Sequence, residues 1–319
     1  MNDILTITEE QEQFIQKMLD ETKKDFDFPD YSVEDGETRK ITYVPVDDGE
    51  IRVIHVNPKN KISKRPLVFV PGWGVIPRNF DDFYEVLHEK IEFYYIETRE
   101  KKTSRIKRFK AKLTMNQKAK DVGDVLKYMG LTNQIDFILM GPCWGGAIIL
   151  QGLMDKSIKA PTIVTVDPMH RLWYNQFMLD YIGPILPVWL LYLMKPLLKW
   201  LKLRNMTEKV QKQRAEDLIK EAVMWKWKRA GFQCRHFELY GNLHKIDEEV
   251  FVFNATTDLI HDKRDYPKIA KEIPKGRFIY METDESYRER MMGILGREFS
   301  KITSSEGIPP KFREFEKKP

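Results

Sequence analysis

The stretch Ile135-Asp136-Phe137-Ile138-Leu139-Met140-Gly141-Pro142-Cys143-Trp144-Gly145-Gly146 carries an apolar run straight into a cysteine with glycines two positions away on either side. A short apolar run of this kind reads as a buried strand, and Ala147 to Met154 reads as the helix that follows it. Small residues at minus two and plus two let the backbone turn sharply against its neighbours and lift the intervening side chain into the open. A cysteine that merely fills apolar space needs no such glycines. Cys143 is therefore read as a nucleophile position, with Gly141, Gly145 and Gly146 forming its turn.

Working outward, the same alternation of strand and helix recurs on both sides. Upstream, Arg39–Val46 and Glu50–Val56 flank the hairpin signal Asp47-Asp48-Gly49. Pro66–Val70 then leads through Pro71-Gly72-Trp73-Gly74 to a helix at Asn79–His88. Phe93–Ile96 is a second buried strand, Met115–Met129 a helix and Pro161–Val166 a strand beyond the cysteine. Downstream, strands at Val250–Asn254 and Arg277–Met281 alternate with helices at Tyr266–Glu272 and Tyr287–Phe299. This order predicts a mostly parallel sheet covered by helices. Met169 to about Leu243 is helical throughout and holds five of the seven tryptophans, as an inserted cap would. The expected organisation is an N-terminal helical extension over 1–36, with an amphipathic helix at Thr8–Phe26, a first core part over 37–168, the cap over 169–245, a second core part over 246–301 and a loosely held polar tail over 302–319.

The chain has 319 residues, with 53 Lys and Arg against 48 Asp and Glu, so its net charge of +5 gives no general argument for nucleic acid. No partner of that kind is expected. Cys143 and Cys234 build no disulfide framework or metal spacing, which points to a reducing compartment. No basic, then apolar leader opens the chain, so the cytoplasm is the expected location. Ile182–Leu203 is about as long as a bilayer span but is interrupted by three prolines and three lysines, which fits a helix lying on a membrane surface better than one crossing it.

From Ile41 to Phe299 the sequence resembles the α/β-hydrolase superfamily in its cysteine-elbow form. The box Gly141-x-Cys143-x-Gly145-Gly146 is locally similar to that of polyhydroxyalkanoate synthases. The resemblance implies an oxyanion hole formed by the amides of Trp73 and Trp144. Glu97-Thr98-Arg99-Glu100-Lys101-Lys102-Thr103-Ser104 stands where many members carry Asp-x-Arg-Gly-x-Gly-x-Ser, and keeps only the Arg and Ser. Asp258 takes the place of the triad acid, with an ordinary helix-capping role as its alternative. The histidine expected after the last strand is missing from Met281–Arg288. His170 and His261 are the two that the order of elements brings to the carboxyl edge of the sheet, either as base or as ordinary surface histidines.

A thiol changes what that loss means, because it is partly ionised near neutrality where a serine hydroxyl is not. The function expected is acyl processing through Cys143, as an ester or thioester hydrolase or acyltransferase on a hydrophobic acyl substrate, without a cofactor or metal. The alternative is a non-catalytic relative binding a lipid, another hydrophobic ligand or a protein partner. Tryptophan, leucine and methionine interleaved with lysine and arginine over Lys195–Arg229 suit an apolar chain and a peripheral membrane contact.

Overall fold

The computed structural model describes residues 5–23, 38–88, 90–132, 134–172, 176–204, 206–255 and 262–319. The strands are β1 (Arg39–Val46), β2 (Gly49–Val56), β3 (Leu67–Phe69), β4 (Phe93–Ile96), β5 (Arg105–Ile106), β6 (Ile138–Pro142), β7 (Thr162–Val166), β8 (Val250–Asn254), β9 (Gly276–Tyr280) and β10 (Glu316–Lys317). They form one sheet in the order β1-β2-β4-β3-β6-β7-β8-β9-β10, with β5 paired to β2. From β4 to β9 every pairing is parallel, while β1, β2, β5 and β10 pair antiparallel. This is the α/β-hydrolase fold expected from the sequence.

Successive strand residues point to opposite faces, and that period of two divides the core. Val68 and Leu139 belong to one apolar cluster and Leu67, Phe69, Ile138 and Met140 to the other. The first is covered by α3 (Met115–Tyr128), α4 (Cys143–Met154) and α10 (Asp265–Glu272); the second by α1 (Glu9–Asp20), α2 (Asp81–Leu87) and α11 (Arg288–Ser300). Thr8 and Gln11 start α1 with a reciprocal capping box. The helix ends at Asp20, short of the expected Phe26, and residues 24–37 lie outside the described residues. The strand before the cysteine begins three residues later than expected, at Ile138, and pairs with β7 as far as Pro142↔Val166.

Between β7 and β8 the inserted segment contains α5 (Gly183–Ile185), α6 (Val188–Leu193), α7 (Lys195–Leu203), α8 (Lys209–Glu221) and α9 (Met224–Cys234). Pro184, Pro187 and Pro196 stand at or next to the starts of α5, α6 and α7, where a missing N–H costs nothing. Among the described residues no helix is long and apolar enough to cross a membrane. The two ends of the insertion close on each other through the Arg171↔Glu238 bridge and the bond from Leu239 N–H to His170 O, 3.0 Å.

The expectation of a loose tail over 302–319 is corrected. Phe312 and Phe315 are fully buried, and β10 extends the sheet beyond β9. Phe14 of α1 packs on Phe315, and Gln11 donates to Glu314 O at 2.9 Å, so the N-terminal helix and the tail cover one another. Composition hid this because two aromatic anchors suffice to dock a polar segment.

Candidate active site

Cys143 stands where β6 hands over to α4, and its φ is +50°. That left-handed conformation costs an L-residue roughly 1–3 kcal/mol and persists only where its surroundings impose it. Here the surroundings are glycines. A Cβ on Gly145 would lie 2.0 Å from Val70 O, and one on Gly141 would lie 2.7 Å from the Gly145 carbonyl carbon. Gly146 is likewise pressed between Gly141 O and Pro168. Of the ten residues from Gly141 to Leu150, Cys143 alone is not fully buried.

Val70–Gly74 crosses beside it. The Cβ position of Gly72 is 3.7 Å from Cys143 Cβ, which places the Trp73 peptide next to the thiol. Among the described residues neither the Trp73 nor the Trp144 backbone N–H has an acceptor. The two indoles meet edge to face at 5.5 Å, Trp227 of α9 meets Trp73 at 6.1 Å, and Phe237 meets Trp144 at 5.6 Å. Trp227 seats on Gly74, whose φ of +64° and lack of a side chain leave room for the ring. The insertion thus lays an aromatic wall on the cysteine's surroundings.

Under this wall lies the segment Glu97–Ser104. Its departure from the family pattern consists largely of charges, and Glu97, Arg99, Glu100 and Lys101 are all buried. Buried charges are tolerated only when paired. Glu97 pairs with Arg52 at 3.4 Å, Arg99 with Asp121 at 2.5 Å and Glu100 with Lys118 at 3.0 Å. Lys118 Nζ lies 4.6 Å from the Trp73 ring and 5.4 Å from that of Trp144. Burial raises the Glu100 carboxyl, but Lys118 and Lys101 outweigh it and hold the group down at about 2. Lys101 Nζ donates to Gly72 O at 2.6 Å. Burial pushes its ammonium down to about 8 against the opposing pull of Glu100 and Glu97, and a thiolate at Cys143 also favours its charged form. Lys226 of α9 donates to Lys101 O at 2.5 Å and Ser104 O at 2.6 Å, tying the insertion to the same segment. Sequence reading passed over Lys101 because a lysine in a charged run looks solvated.

His170 is engaged by carboxylates. Its Nδ1 is 2.7 Å from Glu238 and its Nε2 3.2 Å from Asp265, so both ring nitrogens meet carboxylates. Burial lowers its pKa, and the bonds to Asp265 and Glu238 outweigh burial and raise it. Asp258 and His261 lie outside the described residues. The chain leading to them is held by Asp167, at φ +47°, whose Oδ1 accepts from Asn254 Nδ2 at 2.8 Å and Ala255 N–H at 3.2 Å. Asp167 was not singled out from sequence, although an aspartate directly after a β-branched strand, Thr162–Val166, was a signal. Met169 N–H donates to Cys143 O at 3.1 Å, so the loop after β7 also braces the turn.

No family model matches the chain, and no curated protein matches it in sequence. Solved structures do. An esterase from Exiguobacterium antarcticum superposes with a TM-score of 0.65 at 16% identity, covering 82% of this chain and 99% of its own. A hydrolase from Pseudomonas aeruginosa gives 0.63 at 12% identity, with 82% and 97% covered. A bromoperoxidase from Bacillus anthracis gives 0.60 at 10% identity, with 82% and 98% covered. At such identities the likeness defines the α/β-hydrolase fold, and the chemistry must be argued from the site.

Proposed function

We propose that the protein is a cysteine-nucleophile acyl-processing enzyme acting on a hydrophobic ester or thioester. The observation that carries this reading is the half-buried Cys143, held at φ +50° at a helix start beside two backbone amides that have no acceptor among the described residues. Cys143 Sγ attacks the acyl carbon, and the carbonyl oxygen takes up negative charge against the amides of Trp73 and Trp144. Collapse re-forms the carbonyl and expels the leaving group. A thiolate leaves unaided, without a general acid to protonate it, and the acyl group passes to water or another acceptor. Lys101 supplies positive charge on the far side of Gly72. The aromatic wall of Trp73, Trp144, Trp227 and Phe237 favours an apolar acyl chain.

The test is intact mass spectrometry after incubation with octanoyl and palmitoyl thioesters. One acyl adduct is expected, on Cys143, and none on Cys143→Ala. Cys234 is buried, and burial raises its thiol pKa, so a second adduct is not expected. A folded wild type that gains no adduct refutes the reading. A second reading, binding without turnover, is favoured by the engagement of both His170 nitrogens with carboxylates. It predicts unchanged affinity for an apolar ligand in Cys143→Ala.

A further inference from the structure

From Gln176 to Lys202 no residue is buried, although this stretch is among the most apolar of the chain. Of the 17 large apolar residues that are exposed among the described residues, 11 fall between Phe177 and Leu201. Ile185 is 78% exposed, Leu193 68%, Trp189 64% and Trp200 58%. Scattered exposed apolar residues are normal on a soluble surface, but a contiguous patch of this kind marks a contact.

Beside the patch opens a pocket of about 520 Å³, to which the patch itself contributes Pro184 and Val188. Trp225 lines it, together with Arg108, Lys110, Lys112, Lys228 and Arg229, and no carboxylate is present among its lining residues. Lys228 donates to Pro184 O and Leu186 O, and Arg229 to Arg108 O, which holds the basic wall against the apolar segment. Among the described residues no carboxylate pairs with Arg108, Lys110 or Lys112.

We infer that this face docks on an anionic lipid bilayer, with the Phe177–Leu201 segment in the interfacial zone and the basic pocket on an anionic phosphate headgroup. Tryptophan and tyrosine with lysine at the margin match the amphipathic chemistry of a membrane interface, and several basic groups near the surface attract its negative potential. A two-fold pairing of copies through the same patch would instead bring two sets of five cations together, which like-charge repulsion opposes. The inference is independent of turnover at Cys143.

The experiment is flotation of the full chain with vesicles of phosphatidylcholine alone and of equal parts phosphatidylcholine and phosphatidylglycerol. Binding to the anionic vesicles is expected to exceed binding to the neutral ones by about tenfold or more and to weaken with salt. Trp189→Ser with Leu193→Ser and Trp200→Ser, all at exposed positions, abolishes flotation while the thermal transition stays in place. Lys110→Glu with Lys112→Glu removes the preference for anionic vesicles. In the wild type, brominated lipids quench tryptophan fluorescence, and the serine variant loses that quenching. The proposal is overturned if the wild type stays unbound with anionic vesicles, or if the serine variant floats as well as the wild type. It also fails if glycerol phosphate binds and vesicles do not, or if light scattering finds a dimer that the serine variant splits.

Discussion

At the scale of single residues, the site is a contest between strain and burial at Cys143. Its left-handed φ of +50° is imposed by Gly145, where any Cβ meets Val70 O at 2.0 Å, so the turn has one way to close. Cys143 is half-buried while its neighbours are buried, and Lys101 donates to Gly72 O with its ammonium down at about 8. One unit charge near the sulfur is worth about 1.4 kcal/mol or more in a low-dielectric setting, a factor of about ten in rate. Lys101→Met is therefore expected to slow acylation of Cys143 at pH 7 by about tenfold. Lys101 is charged below pH 8 and neutral above it, so the ratio of wild-type to Lys101→Met rates should fall toward one between pH 7 and pH 9.5. A constant ratio across that range removes Lys101 from the account. Stopped-flow acylation with a chromogenic thioester measures it.

Between elements, His170 acts as a clamp. It sits at the entry of the insertion, Glu238 at its exit and Asp265 at the start of α10, so one imidazole joins both ends of the insertion to the core. Tyr240 packs against the ring at 4.6 Å, tilted by 35°, and donates to Asp265 Oδ1 at 3.1 Å. The folded protein raises the pKa of His170, so the folded state holds its proton more tightly than the unfolded chain. Stability from this group is fully present below the ordinary value of about 6.5 and is lost as pH rises through the raised value. His170→Gln should thus lower Tm more at pH 6 than at pH 9, as read by differential scanning calorimetry. Equal losses at both would mean that the ring acts by packing alone. A second tie runs from α8, where Arg214 pairs with Asp81 and Asp82 at 2.7 Å each and with Glu289 of α11. The insertion is bolted to the core at both ends, while α6 and, apart from its last residue Leu203, α7 remain unburied.

For the whole molecule, the sheet is closed at its far edge by the C-terminal residues. Phe312 and Phe315 are fully buried against β8, α11 and α1 neighbours. Removing one such phenylalanine from a core costs about 3–5 kcal/mol, and a domain is stable by only about 5–15 kcal/mol. A chain ending at Gly307 should lose both anchors and β10, and fail to give a cooperative transition in thermal melts monitored by circular dichroism. Removing Lys317 to Pro319 alone should leave Tm almost unchanged. A cooperative, wild-type-like melt for the shorter chain would show the tail to be dispensable.

The alternation of elements along the chain, the helix-covered parallel sheet, the inserted helical segment and the turn at Cys143 were legible from the chain alone, whereas the order of strands within the sheet was not. Each rests on local signals: period-two apolar runs, proline and glycine at turns, and glycines flanking one exposed position. Tertiary structure decided the rest, because it depends on which distant segments meet. Glu97–Ser104 was matched in sequence only through its Arg and Ser, yet its charges find Arg52, Lys118 and Asp121 and go inside, carrying Lys101 to the Gly72 carbonyl. His170 stood at the right edge of the sheet by order of elements, but carboxylates from two other segments claim both its nitrogens. The amphipathic stretch near Trp189 is apolar in sequence whether it packs or not, and only the fold leaves it uncovered. Local physics writes elements into a sequence, whereas burial and pairing belong to the assembled chain.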